Sequence, residues 1–259
     1  MFSSLEKILQ GKRHASPEDF DRTIIDLPAP SQLKDLCLNS ADAAMQENLG
    51  EQRFKFRFAT SLEALHGASL LVQKRYAWRG YPAQPLKKYP NRVTLLTSIN
   101  ERIVGTVTIG YDSGEGLFAD ELYKVEVDAL RARGRKVGEL NKLAIDKTLG
   151  SKHVLGGIIH IAYIYGLIYG CTDAVIEVVP RHREFYERML GFKQLGPERP
   201  NPKADNAPAL LMHLPLEYMS EKIAQVGGKG PDGDDHSLYP YFFSLYEQEG
   251  IMKRLLGGN

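Results

Sequence analysis

Cysteine is nearly absent from this chain. Cys37 and Cys171 are the only two, they lie far apart, and neither sits in a metal-ligand spacing. That excludes a disulfide framework and a zinc cluster, and it fits a reducing cytoplasmic setting with two free thiols. Net charge is nearly absent too: 33 Lys and Arg against 32 Asp and Glu leave +1. Such a balance gives no general pull toward nucleic acid or a membrane surface, so an acidic partner must be met by a local basic patch. The first residues, MFSSLEKILQGKRH, hold no signal-peptide apolar core or cleavage site. One run resembles a membrane span, Val154–Cys171 (VLGGIIHIAYIYGLIYGC), but it falls short of the roughly 20 residues a bilayer needs. It also holds His160 and four glycines and lies between two strand-like runs. We expect a helix buried in a soluble core and no membrane span.

What is present is ordinary globular material. Hydrophobic content of 43% over 259 residues allows a large core in one domain with appendages. Phe54–Ala59 (FKFRFA) alternates and reads as a strand, and Ser61 can cap a helix that runs to about Tyr76. Arg92–Ile99 and Arg102–Tyr111 read as a hairpin joined at Asn100-Glu101, with Gly105 and Gly110 as bulges or points of close approach. Leu122–Arg133 has helical periodicity and Gly134 stops it. Lys136–Ile145 reads as a strand, Ser151 caps the buried helix, and Asp173–Val179 is the next strand. A helix over Arg181–Leu190 and a last strand over Ala209–Leu214 follow. Val226–Asp235 (VGGKGPDGDD) has the composition of a flexible linker, and an aromatic tail, Ser237–Tyr246, leads into a short helix.

The order β, α, β-hairpin, α, β, α, β, α, β, with Glu139 on a strand and Tyr186 on a later helix in PRHREFYERMLGF, resembles the Gcn5-related acyltransferase superfamily. The segment Glu139-Leu140-Asn141-Lys142-Leu143-Ala144-Ile145 is similar to the Glu-x-Ser-Arg-Phe/Leu-Ala-Val/Ile strand of acyl-homoserine-lactone synthases and of their relatives, the bacterial long-chain N-acyl amino acid synthases. PRHREFYERMLGF, Leu195–Pro200, Asn206-Ala207-Pro208 and Leu238–Phe243 look like the N-acyl amino acid synthases specifically. Asn141 and Lys142 depart from the usual Ser and Arg, which leaves a Ser-specific proton relay and an Arg-specific salt bridge without their residues. The implied fold is α/β, a central mixed and mostly antiparallel sheet flanked by helices. Residues 51–218 form the acyltransferase domain, 1–50 a helix-prone N-terminal extension, and 219–259 a linker with an aromatic and helical tail.

The resemblance implies transfer of a fatty acyl group from an acyl carrier protein thioester to the α-amine of an amino acid. No cofactor or metal is implied beyond the carrier's phosphopantetheine thioester. The α-ammonium must lose a proton before it attacks, and a positioned carboxylate can take it. Glu139 lies among Val137, Leu143 and Ile145, where burial raises a carboxyl toward useful basicity; pairing with an arginine is its structural alternative. Tyr186 occupies the superfamily's acid position, or serves as a core aromatic beside Phe185. His182 is the other candidate for proton transfer, or shapes a helix cap. The backbone of Leu143–Ile145, reached through Leu143 and Ala144, is where an oxyanion donor is expected. Arg79, in WRGY with Trp78 and Tyr81, suits the acceptor carboxylate, with Arg75 and Arg181 as rivals. Lys142, Phe185 and Asn206 complete the expected substrate contacts.

Coenzyme A-dependent relatives cradle pyrophosphate with an Arg/Gln-x-x-Gly-x-Gly/Ala loop at the next helix. Here the region reads Asp146–Gly157, DKTLGSKHVLGG, and no alignment of its glycines meets that pattern. Lys147, Lys152 and His153, with Lys142 and the run Arg131, Arg133, Arg135, Lys136, instead suit the acidic helix of a carrier protein. An apolar acyl tunnel is expected between the buried helix and the strands Val104–Ile109 and Val175–Val179, with Leu238–Phe243 closing it or packing a homodimer. Three other readings stand beside this one: a coenzyme A-dependent N-acetyltransferase, an S-adenosylmethionine-using autoinducer synthase, and a non-catalytic acyl-binding module.

Overall fold

The computed structural model describes residues 25–28 (backbone only), 53–77, 80, 83–99, 101–147, 151–230 and 233–256. Nine strands form one sheet in the order β1 (Ile25–Pro28), β2 (Arg53–Phe58), β3 (Arg92–Ile99), β4 (Arg102–Tyr111), β5 (Val137–Ile145), β6 (Asp173–Val178), β9 (Ala207–Pro215), β7 (Lys193–Gln194), with β8 (Arg199–Asn201) on the far part of β9. Every pairing is antiparallel except β5 with β6. Six helices flank the sheet: α1 (Leu62–Ala77), α2 (Asp120–Arg131), α3 (Lys152–Ile168), α4 (Arg183–Leu190), α5 (Leu216–Val226) and α6 (Leu245–Leu255). This is the mixed, mostly antiparallel architecture that the element order implied.

The local causes are plain. Phe54, Phe56 and Phe58 are buried while Lys55 and Arg57 stay partly exposed, the period-2 pattern of a half-covered strand. Central strands β3 and β4 are buried along almost their whole length, as strands covered on both faces must be. Ser61 Oγ accepts from Ala64 N at 3.1 Å at the start of α1, and Ser151 Oγ accepts from Val154 N at 3.2 Å at the start of α3. Beyond its first turn α3 is apolar on nearly all sides and almost wholly enclosed, which makes it the axle of the core. Among the described residues no helix is long and apolar enough to cross a membrane.

Several expectations are corrected. The stretch 1–50, read as helix-prone, contributes an edge strand at Ile25–Pro28. The hairpin's register breaks between Thr97↔Gly105 and Ser98↔Ile103, next to Gly105 as expected, whereas Gly110 pairs in register with Arg92. Gly105 also marks a close approach, since a Cβ there would lie 2.6 Å from Ile158 Cδ1. The helix α5 was not foreseen; Leu216, Met219 and Ile223 form its buried stripe. The glycine-rich segment after it is tied down: Gly228 N donates to Phe242 O at 2.8 Å, and Lys222 pairs with Asp235 at 3.4 Å.

The aromatic tail is core. Leu238, Tyr239, Phe242 and Phe243 are buried against α3 and the sheet, and Tyr239 Oη donates to Leu190 O at 2.6 Å. His160 fastens it from the middle of α3: Nδ1 accepts from Phe243 N at 2.9 Å, so Nε2 carries the proton and faces Gln248 Oε1 at 2.8 Å. Two glycines of α3 give opposite predictions. A Cβ on Gly156 would lie 2.7 Å from Tyr241 O, a backbone atom, whereas one on Gly166 meets only ordinary contacts at 3.7 and 3.8 Å. Gly156→Ala is expected to destabilise by about 1–3 kcal/mol through overpacking. Gly166→Ala is expected to stabilise by about 0.4–1 kcal/mol through a less flexible unfolded chain. Denaturant melts of the two variants, moving in opposite directions, check this.

Candidate active site

The sheet parts at its centre. β5 and β6 pair from Val137↔Asp173 to Leu140↔Ile176, and then both strands run on without pairing, β5 to Ile145 and β6 to Val178. Just past the last pair, β5 bulges: Asn141 registers with Thr108 and Ala144 with Thr106, and Lys142 takes a left-handed φ of 52°. A non-glycine residue held there is a sign of local strain, which clusters at functional sites. Past Leu140 the edge of β5 that faces β6 has no strand partner among the described residues, so Leu143 and Ala144 lie on an open edge.

Glu139 stands at the foot of this opening, 1% exposed. Its carboxylate accepts from Phe118 N at 2.9 Å, Ala119 N at 2.8 Å and Asn141 Nδ2 at 2.9 Å. The two backbone donors are the entry to α2, where the helix dipole favours an anion. Burial nonetheless pushes the Glu139 carboxyl up to about 7, against the pull of those N–H groups and of the nearby Arg92 guanidinium. Gly110 lies opposite Glu139 in β4, and a Cβ there would already be 3.4 Å from Glu139 Oε2. Arg92 stacks on the Phe118 ring at 3.8 Å and donates to Asn91 Oδ1 and Gly116 O, so the expected arginine pairing becomes a second-neighbour field.

A second carboxylate shares this face. Glu177 follows Val175, the register partner of Glu139, by two residues on β6, one place beyond the last β5–β6 pair. Burial pushes it up to about 7, with Glu139 and Glu121 adding to the shift. Asn201 Nδ2 donates to it at 3.2 Å. The sequence reading passed over Glu177 and Arg92. The signal for Glu177 was available, because it is the one charged residue in the otherwise apolar run Ala174–Val179.

The remaining expected residues scatter. Lys142 projects from the bulge, its Nζ donating to Gln84 O at 3.3 Å, and burial, then Lys203 and Lys87, hold its ammonium below the usual lysine range. Tyr186 is half-buried on α4 against the main core, with Phe185 at 5.3 Å and Phe192 at 6.1 Å, whereas Glu139 points to the smaller cluster under α2. Phe185 is 42% exposed. His182 ends a 3-10 turn and makes no side-chain cap to α4. Arg181 is exposed beside it. Asn206 is an exposed turn residue with φ 57°, its N donating to Asn201 O. Tyr76 packs beside Ala144, and Arg75 is partly buried next to it. Trp78, Arg79 and Tyr81 lie outside the described residues.

The basic surface is smaller than the sequence suggested. Arg131 is committed to Asp112, Asp120 and Asp128 at 2.6–2.7 Å, and Arg135 to Asp173 and Glu217. Both lie at the start of β5, whereas Lys147, Lys152 and His153 lie past its end, about 30 Å along a nine-residue strand. Lys152 sits over the Tyr241 ring at 5.2 Å, and His153 meets the same ring edge-on at 4.9 Å, where burial lowers its pKa. Below the parting lies an apolar cavity of about 30 Å³, lined by Ile109, Leu140, Ala162, Gly166, Phe192 and Met219. That is room for roughly one water, so the expected acyl tunnel is closed in this conformation. Among the described residues no cluster suits a metal ion.

The chain is similar to known proteins. Residues 67–215, more than half of the chain, match the family described as the N-acyl amino acid synthase FeeM. The structure of FeeM, an N-acyl amino acid synthase from uncultured soil microbes, is similar with a TM-score of 0.58 and 26% identity, covering 64% of this chain and 92% of that one. The acyl-homoserine-lactone synthase LasI is similar at a TM-score of 0.45 and 14% identity, covering 64% of this chain and 90% of that one. Comparison with curated proteins finds no match. The chain is an acyltransferase of Gcn5-related fold, and it belongs to the FeeM family of N-acyl amino acid synthases.

Proposed function

We propose that the protein moves a long-chain fatty acyl group from an acyl carrier protein thioester to the α-amine of an amino acid. The observation that carries this reading is the parting of β5 and β6, with a buried and a half-buried carboxylate of raised pKa beside it. A thioester seated in the parting would have its carbonyl oxygen at the open edge of Leu143 and Ala144. A backbone N–H there supplies the oxyanion donor. A carboxylate there accepts the proton that the ammonium must shed. Tyr186 and His182, at the start of α4, remain the groups proposed to meet the leaving thiolate.

The carrier protein as donor is supported by what α3 does with its glycines. Gly156 faces Tyr241 O, and Gly157 faces the Phe56 ring, where a Cβ would be 2.6 Å from Cζ. Both are consumed by packing, so neither offers a backbone cradle to a pyrophosphate. Lys147 and Lys152 are exposed at this end of the sheet, where the carrier's acidic helix would dock. The closed cavity would open for the acyl chain by movement of Phe192 and Met219 beside Gly166.

The test is a donor comparison with the full chain. An acylated carrier protein is expected to exceed the matching acyl-coenzyme A by about tenfold or more in kcat/KM. Equal or faster turnover with coenzyme A overturns the donor assignment. Acetyl-coenzyme A as the preferred donor would make the protein an N-acetyltransferase.

A further inference from the structure

A free amino acid carries an anion and a cation on neighbouring atoms, and the mouth of the parting carries the matching pair. Lys142 projects from the bulge with its left-handed backbone, and its ammonium meets only a neutral acceptor, Gln84 O at 3.3 Å. Among the described residues no carboxylate pairs with it. A partly buried cation without a counter-ion is costly, and an anionic ligand relieves that cost. Two further lysines lie near enough to lower its pKa. Lys87 comes from the loop after α1, and Lys203 from the 3-10 turn Pro202–Ala204, where it is held by Glu121 at 2.5 Å.

Glu177 lies one place, and Lys142 two places, beyond the last register pair Leu140↔Ile176, and Lys203 acts on both. The two carboxylates, Glu139 buried and Glu177 half-buried, differ in what they have left to offer. Glu139 is filled by three hydrogen bonds. Glu177 has Asn201 Nδ2 as its one hydrogen-bond partner among the described residues, so its other oxygen is open to a cation. Paired strands lie about 4.8 Å apart, and beyond Leu140↔Ile176 β5 and β6 no longer pair, which leaves a gap. Lys142 and Glu177 stand on its two banks.

We propose that Lys142 and Glu177 form the head-group site of the acceptor: Lys142 binds its α-carboxylate and Glu177 its α-ammonium. This rests on the reading of the acceptor as an amino acid. Glu139 is then a positioning residue that holds the α2 entry and Asn141 beside the site. The ammonium gives one proton to Glu177. The freed lone pair forms a C–N bond to the thioester carbonyl carbon, and the C–S bond breaks as the tetrahedral intermediate collapses. The second nitrogen proton leaves with the thiolate as thiol. Thioester and ammonium thus become amide, thiol and one proton, which Glu177 returns to water.

The experiment uses the full chain with an acylated carrier protein. The best acceptor among the twenty protein amino acids is compared with its α-carboxamide, which keeps the shape and lacks the negative charge. The wild type is expected to favour the amino acid by about 30-fold or more in kcat/KM. In Lys142→Met that ratio falls toward one, mainly through KM, and Lys142→Arg restores part of it. Glu177→Gln lowers kcat by about 100-fold or more. Thermal melts confirm that each variant is folded. A Lys142→Met enzyme that keeps the preference, or a Glu177→Gln enzyme that keeps its kcat, overturns this site and leaves the preceding function standing. A wild type that acylates no amino acid overturns both.

Discussion

Glu139→Ala is expected to abolish turnover and to lower stability by about 2–5 kcal/mol. The carboxylate is the partner of two backbone N–H groups, Phe118 and Ala119, and of the Asn141 amide. Ala119 is fully buried, and truncation leaves its donor without water or acceptor. Each buried donor so orphaned costs about 1–3 kcal/mol. The loss spreads to function because the same three bonds fix the α2 entry and the residue before the Lys142 bulge. Glu139→Gln keeps one acceptor oxygen, so its stability should fall between wild type and alanine. Urea melts with parallel turnover assays check the series. An alanine variant as stable as wild type would show that the α2 entry is held by something else.

Glu177→Gln is expected to stabilise the protein at pH 8 by about 1–3 kcal/mol and to have little effect at pH 4. Both Glu139 and Glu177 rise from an ordinary 4.5 to about 7 on folding, chiefly through burial. The folded protein therefore keeps protons that the unfolded chain releases. Their contribution to stability is fully present below 4.5 and is lost as pH rises through 7. One such shift of about 2.5 units corresponds to roughly 3 kcal/mol, an upper bound for two carboxyls that share a field. Glutamine removes one share of that loss, together with the proposed base, so stability rises where activity falls. His160 sets the other limb. Burial lowers it from 6.5 to about 4, so the unfolded chain takes up a proton that the folded one refuses. Stability is lost on that account as pH falls from 6.5 toward 4. Melts of wild type and Glu177→Gln at pH 4, 6 and 8 read both limbs, and a shift of equal size at pH 4 and pH 8 contradicts the assignment.

The parts of this fold that were legible in sequence are those whose cause is local. FKFRFA alternates because one face of β2 is buried, and the Ser151 cap and all-apolar face of α3 announce an enclosed helix. Ile25–Pro28 was not legible, because a four-residue edge strand draws its stability from pairing with Arg53–Phe58 rather than from its own pattern. Leu216–Val226 was hidden by its setting: it starts straight after β9 without a side-chain cap, and glycines follow it. At the site, Glu139 was readable as an acid among aliphatics, but its partners come from residues about twenty positions earlier in the chain. The chain path alone separates Arg131 and Arg135 from Lys147 and Lys152, so a run that looks continuous in sequence splits between two ends of β5. Nothing in residue type announces the left-handed backbone at Lys142.

Expression of the protein in a bacterial host, followed by mass spectrometry of lipid extracts, tests the central claim most directly. The account predicts new lipids whose fragments are a long-chain fatty acyl group and an amino acid joined by an amide. They should be present with the wild type and strongly reduced with Glu177→Gln. Extracts that match the empty-vector control, or that show only acetylated amines, would contradict it.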